Sequence, residues 1–275
     1  MDTTTLLFVR WNYVPTCAPT PAEATHSSET SKEEPRLSQK IRSLVGQAVA
    51  VHSMIAEGDR ILVGLSGGKD SLILLLALHH LRQRSPVSFS LKACTVNPTG
   101  EALHTGALAS LCDRLEVPFR IVEHDIFGII RAREERSPCS LCAHLRRGLL
   151  NTAAREEGCN LLALGHHLDD VVETVFLNLL EGGRFRCFKP KLWHSRAGIT
   201  VIRPLVFVEE ARIAQEVRRL NLIPLDMTCP FSGKNRRTRA KKLVEYLCGE
   251  QPSLRSNILH ALTHFQANDF WTRNN

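Results

Sequence analysis

The sequence predicts an α/β fold in which a doubly wound, mostly parallel sheet is covered by helices on both faces. Three observations predict it. Short apolar runs recur at 61–65, 91–96, 119–122, 160–164 and 200–205, each the length of a buried strand. Amphipathic stretches lie between them, and that alternation is the pattern of parallel strands joined by helical crossovers. Finally, the first run stops at a polar hexapeptide, Ser66-Gly67-Gly68-Lys69-Asp70-Ser71, and a second apolar run starts at once with Leu72. A glycine turn at the carboxyl end of a strand is where such sheets bind ligands.

Taken in order, residues 1–36 read as a flexible N-terminal arm, since 14–37 is rich in Pro, Thr, Ser and Glu with little periodicity. A helix follows over 37–56. The core domain is expected over 37–250, and 251–275 as a C-terminal helical tail. There is no internal repeat. With 275 residues, 43% of them hydrophobic, the chain can bury one full core. The longest apolar stretch, 72–81, is broken by His79 and His80 and falls short of the roughly 18 residues of a membrane span. An acid at position 2 and no basic region before an apolar one fit a secretory signal poorly. Nine cysteines, an odd number along a chain of this length, argue against a disulfide framework and for a reducing, cytoplasmic setting. The net charge of +7 favours a polyanionic partner, although metabolic enzymes can also be this basic.

The hexapeptide has a physical reading of its own. Gly67 and Gly68 let the backbone turn tightly and bring amide hydrogens against a ligand, while a helix starting near Asp70 aims its positive dipole end at the same spot. This is not a Walker A loop, because three residues rather than four separate Gly64 from Gly68-Lys69, and Asp70 stands where that motif has its metal-binding hydroxyl. An ordinary glycine turn is the plain alternative, but serines at both ends with Lys and Asp inside exceed what a turn needs. Placed after a buried strand, S-G-G-K-D-S resembles the pyrophosphate loop of the N-type ATP pyrophosphatases. These enzymes activate a carbonyl oxygen by adenylation and release pyrophosphate.

A second constellation is RSPCSLCAHLRRGLL at 136–150. Ser137 can cap a helix and Pro138 suits its first turn, so Cys139 and Cys142 share a face near the N-terminus, where the dipole favours thiolates. Alone, Cys-x-x-Cys fits a zinc half-site, a redox pair or part of an iron–sulfur ligand set. A third block, NLLALGHHLDDVVETVFLNLLEGG at 160–183, ends a strand at Gly165 and crowds His166, His167, Asp169 and Asp170 at the next helix start. These can be cap residues, with Asp169 contributing about 0.3–1 kcal/mol as an N-terminal acid.

Together S-G-G-K-D-S, C-S-L-C-x-x-L-R-R-G, L-G-H-H-x-D-D and I-R-P-L, in that order over approximately 41–247, resemble the tRNA 2-thiocytidine synthetase family. The resemblance implies an adenine nucleotide alpha hydrolase-like fold and ATP with Mg2+ bound at Ser66, Gly67, Gly68, Lys69, Asp70 and Ser71, with Gly165 and His166 beside them. It implies that Asp70 serves the metal, that Asp170 handles metal or proton, and that Arg146, one turn beyond Cys142, steadies developing negative charge. A 4Fe-4S cluster bound by three cysteines, with one iron open for sulfur, is also implied; here these are Cys139, Cys142 and, from the segment IPLDMTCPFSGKNRRT, Cys229. Two departures are visible: Ser232 stands where the family has a further Cys, and Asn97-Pro98 where an acid often follows the second strand. Cys94, Cys112, Cys159, Cys187 and Cys248 fall in apolar patterns and read as core thiols.

Two basic runs remain. GKNRRTRAKK, with Arg236, Arg237, Lys241 and Lys242, and RFRCFKPKLWHSR, with Arg184, Arg186, Lys189 and Lys191, are either solvated faces or tracks for tRNA phosphates. Phe185, Phe188 and Trp193 can stack on unpaired bases in the latter. The expected activity is an iron–sulfur-dependent, ATP-driven tRNA sulfurtransferase acting on C2 of an anticodon-loop cytidine. The partners expected are tRNA and a sulfur donor such as a cysteine desulfurase, with a homodimer left open and no membrane. The rivals are a 2-thiouridine synthetase of the same superfamily, a lysidine-synthetase-like ligase and a non-enzymatic zinc-stabilised RNA-binding protein.

Overall fold

The computed structural model describes residues 35–101, 103–135, 137–225, 229–231 and 236–264, so the N-terminal arm and Ser232 lie outside the described residues. The chain runs α1 (Gln39–Val51), β1 (Asp59–Gly64), α2 (Lys69–Arg82), β2 (Phe89–Asn97), α3 (Gly106–Arg114), β3 (Phe119–Glu123), α4 (Ile126–Ala132), α5 (Pro138–Glu156), β4 (Leu161–Ala163), α6 (Leu168–Gly182), β5 (Lys191–His194), β6 (Ile199–Ile202), α7 (Glu210–Arg219), α8 (Arg236–Glu250) and α9 (Leu254–Thr263). The sheet order is β3-β2-β1-β4-β6-β5. All pairs are parallel except β5 with β6. The five strands expected from apolar runs are present. β5 was not foreseen: its stretch was read as a basic segment with aromatics able to stack on bases, and it is the antiparallel edge strand of the sheet.

β1 is buried on both faces because its side chains alternate between two cores. Ile61 and Val63 join α1, α2, α3 and α7 on one face, and Leu62 joins α4 and α5 on the other. α2 is apolar nearly all round and is buried from Ser71 to His79, the pattern of a helix enclosed by other elements. Each of its fully buried leucines contributes about 2 kcal/mol through area removed from water.

Strand order fixes the site. From β1 the chain steps outward through β2 and β3, then returns to place β4 on the other side of β1. The loops leaving β1 and β4 therefore splay apart at their carboxyl ends and leave the crevice in which open α/β sheets bind ligands. α6 packs against α8 and α9, which brings the basic helix and the C-terminal tail to the same end. No helix among the described residues is long and apolar enough to cross a membrane.

Candidate active site

The turn leaving β1 is built by backbone geometry. Gly67 has φ +81°, and a Cβ there would come within 2.8 Å of the Leu225 side chain, so the position excludes other residues on two counts. The Leu225 amide donates to the Gly67 carbonyl at 3.0 Å. Ser71 Oγ donates to the Gly68 carbonyl at 2.9 Å and receives a bond from Ser66 Oγ at 3.2 Å, so the paired serines brace the turn. On the opposite wall, Gly165 approaches the Asp70 carbonyl carbon so closely that a Cβ would lie 3.2 Å from it; this glycine lets the β4–α6 loop lie against the start of α2.

The two histidines that follow separate into two roles. His167 is the N-cap of α6: its Nδ1 accepts from the Asp170 amide at 3.3 Å, while Asp170 Oδ2 accepts from the His167 amide at 3.0 Å, a reciprocal cap. His166 is half-buried, its ring 5.0 Å from that of Phe188, and its buried Nδ1 has no protein partner. Burial, reinforced by Arg203, lowers its pKa to about 4 although Asp170 pulls the other way. His166 is therefore a neutral ring at pH 7.

A cavity of about 510 Å3 opens between these loops. It is lined by Ser66, Asp70, Ser71, Gly165, His166, Asp170, Arg146, Cys139, Cys142 and Cys229, together with Arg147, Arg237, Phe231 and the thiol-bearing Cys94. Residues from five separated stretches thus meet. α5 contributes at one-turn spacing: Cys139 and Cys142 in its first turns, Arg146 next and Leu150 after that. Ser137 stands at the N-cap position without a side-chain capping bond. Cys229, far along the chain, packs on the same face as α4 and α5, with Phe231, whose ring meets Phe127 of α4 edge-on at 5.6 Å.

Charges on the loop side are closely paired. Lys69 Nζ lies 2.9 Å from Glu210 Oε1 and 3.0 Å from Asp70 Oδ1, with its hydrogen bond to Asp70 directed at Oδ2, 3.1 Å away. Buried Asp70 Oδ1 has that charge nearby but no hydrogen bond. Burial would lower the Lys69 ammonium, yet Asp70 and Glu210 outweigh it and raise it. Burial would likewise raise Glu210, but bonds from Lys241 and Lys69 bring it down to about 2. On the thiol side, burial pushes Cys142 up, Arg146 pulls it down, and Cys229 and Cys139 push it up again. The expected dipole-favoured thiolate is thus not what the burial of Cys142 gives: a ligand has to draw off its proton. Arg146 Nε is buried with no protein partner.

Several expectations are revised. Arg237 and Lys241 were read as part of a basic run, either a solvated face or a track for tRNA phosphates. Arg237 instead lines the cavity and pairs with Asp170, with Glu173 Oε2 3.6 Å from its Nε. Lys241 bonds Glu210 at 2.8 Å. Lys242 is exposed, as are Arg184, Arg186 and Lys189; Lys191 on β5 reaches the Ser53 carbonyl at 2.5 Å. Arg236 opens α8, and its side chain lies outside the described ones. Phe188 does not await a base: it is half-buried, with the Arg203 guanidinium 4.9 Å from its ring centre and His166 on it. Asp169 is structural, tied to Arg255 at 2.7 Å and to the Glu210 amide at 2.7 Å. Asn97 turns from the cavity, bonding Glu123 Oε2 at 2.5 Å and the Glu101 carbonyl at 2.6 Å. Cys94, Cys112 and Cys159 are buried as expected, whereas Cys187 and Cys248 are half-buried. Sequence reasoning missed Glu210 and Arg203. For Arg203 the I-R-P-L block was a signal; it is 4% exposed, and burial with Arg147 nearby lowers it to about 10.

A family model described as a PP-loop domain matches residues 34–223. A protein of Geobacter sulfurreducens named tRNA-cytidine(32) 2-sulfurtransferase is 41% identical over 234 residues, spanning 83% of this chain and 90% of its own. One of the same name from Anaeromyxobacter dehalogenans is 37% identical over 233 residues, spanning 83% and 80%. The chain belongs to the tRNA-cytidine(32) 2-sulfurtransferase family of PP-loop proteins. Among solved structures, a U34-tRNA thiolase from Methanococcus maripaludis with its 4Fe-4S cluster matches with a TM-score of 0.67 at 25% identity, covering 83% of this chain and 79% of that one. The fold of this PP-loop protein is thus that of the adenine nucleotide alpha hydrolase-like enzymes.

The donor set suits such a cluster. Three soft thiols stand on one cavity, and clusters select thiolates. On the loop side, the carboxylate oxygen of Asp70 without a hydrogen bond fits a hard cation.

Proposed function

We propose that this protein is an ATP-dependent tRNA sulfurtransferase that adenylates the C2 oxygen of an anticodon-loop cytidine and replaces it with sulfur, forming 2-thiocytidine. One observation carries the reading: Ser66, Asp70 and Ser71 of the pyrophosphate loop and the three thiols line the same cavity, so both half-reactions can act on one atom without moving the base. The names of the relatives support it.

The turn amides at the start of α2 and the helix dipole hold the triphosphate. Lys69 exchanges Glu210 for phosphate oxygens, and Asp70 takes the Mg2+ that accompanies ATP. The cytidine C2 oxygen attacks the α-phosphorus, and the bond to the bridging oxygen breaks toward pyrophosphate. AMP is then the leaving group when sulfur adds at C2. Arg146, between the thiols and the loop, faces the charge that builds on the oxygens in both steps. His166, neutral and short of one partner, offers a hydrogen-bond acceptor or donor to a base without adding charge. Cys139, Cys142 and Cys229 hold the cluster, which when bound supplies an open iron site for the incoming sulfur. A cysteine desulfurase is the sulfur source in this proposal.

Mass spectrometry of nucleosides in tRNA from a strain lacking the gene tests it. Loss of 2-thiocytidine, restored by the intact gene, is expected. Loss of a 2-thiouridine instead selects the thiouridine reading, and unchanged nucleosides overturn both.

A further inference from the structure

We propose that a second cavity, between α5 and the β5–β6 hairpin, receives an unpaired nucleotide of the RNA adjoining the target base, with Trp193 stacking on its base and Arg147 and Arg196 on its phosphates. This rests on the tRNA-modifying role proposed above. The cavity measures about 380 Å3, in the lower part of the roughly 300–1,000 Å3 typical of small-ligand sites. Its polar lining is His144, Arg147 and Asn151 from α5, and His194, Ser195 and Arg196 from the hairpin, with no acid among the lining residues. That composition fits a phosphate-bearing ligand.

Three independent observations point to a base. Trp193 is 59% exposed on the edge strand, a large aromatic surface at the cavity that stacking would cover, worth about 1–3 kcal/mol per base. Asn151 Oδ1 is a buried polar atom with no protein partner, and a side-chain amide can pair with a base edge. Burial and the nearby Arg147 and Arg203 lower His194, so it presents a neutral ring rather than a third cation. Continuity with the catalytic cavity sets which nucleotide is meant: Arg147 lines both cavities. A phosphate at Arg147 therefore joins one nucleotide on each side. The segment that sequence reading took for a basic track with aromatics able to stack on bases thus forms one wall of a pocket.

The test uses the full-length, anaerobically prepared protein and a synthetic anticodon stem-loop RNA, measuring affinity and thiolation for Trp193→Ala and Trp193→Phe. Trp193→Ala is expected to raise Kd and KM about tenfold, with kcat within about twofold, and Trp193→Phe to recover most of the loss. Removing a single base from the loop beside the target should weaken the wild type by the same factor and leave Trp193→Ala no weaker than before. Wild-type affinity in Trp193→Ala, or penalties that add for every base removed, overturns the pocket. A defect confined to sulfur delivered by a desulfurase, absent with inorganic sulfide, assigns this face to a donor protein and also overturns it. If the base-removal cycle behaves as stated but no thiolated nucleoside forms, the assigned reaction fails and the pocket stands. If whole tRNA is thiolated while the cycle is additive, the pocket alone fails.

Discussion

The loop side of the cavity and its thiol side solve opposite problems. On the loop side most charges have a partner inside the chain: Lys69 with Asp70 and Glu210, Glu210 with Lys241, Asp170 with Arg237. On the thiol side Cys142 is held in its neutral form by burial, and Arg146 Nε lacks a partner. The first is a network that an anionic ligand must open by exchange; the second is a set of groups that a bound metal cluster and a developing anion would satisfy. A triphosphate that comes and goes suits the former, because leaving restores the internal pairs at little cost. A resident cofactor suits the latter, since leaving it out exposes unsatisfied groups.

The comparison is broken most severely at Asp70. Asp70→Ala should lower tRNA-dependent pyrophosphate release by about 10²–10³-fold with the iron content unchanged, because it removes the carboxylate proposed to hold the metal while touching no thiol. Pyrophosphate release at the wild-type rate would show that the loop side does not carry the adenylation.

His166 sits between the two sides and gives the next effect. Its folded pKa, about 4, is below the ordinary 6.5. Between these values the unfolded chain binds the extra proton and the folded one does not, so stability falls as pH drops through that window and levels off below it. The loss amounts to at most about 3 kcal/mol. Denaturant unfolding at pH 7.5 and pH 4.5 should show a smaller decrease for His166→Gln than for the wild type. Equal decreases would mean that His166 is not the neutral, half-buried ring described.

A smaller change sharpens the network. Glu210→Gln keeps the shape but removes one of the two acids holding Lys69. ATP should bind about threefold more tightly, consistent with exchange of one charge pair at a partly exposed site. Weaker binding by isothermal titration would mean that Glu210 positions Lys69 for phosphate rather than competing with it.

What was legible in the sequence divides along the same line. The turn at 66–71, the Cys139–Cys142 pair and the cap at His167–Asp170 are each contiguous, and their geometry follows from local rules for turns, helix periodicity and capping. Glu210 was invisible because its partners lie 141 residues earlier, at Lys69, and 31 later, at Lys241; nothing local marks a carboxylate that will close such a chain. The strand Lys191–His194 was missed because an edge strand needs only alternation, here Lys191 and Trp193 outward with Leu192 and His194 half-buried, and its cations drew it toward a surface reading. Phe188 was misread for the same reason: among arginines and lysines an aromatic residue looks available, yet packing on His166 and under Arg203 had already used its faces.

The central claim is that one cavity carries two separable chemistries, and Cys229→Ala tests it most directly. Anaerobically purified Cys229→Ala would be given ATP, a sulfide source and tRNA, and both pyrophosphate release and the thiolated nucleoside measured in the same reaction. The expected result is pyrophosphate release within about threefold of the wild type, no thiolated nucleoside, and loss of iron together with visible absorbance. Formation of the thiolated nucleoside by a variant lacking the cluster would contradict it.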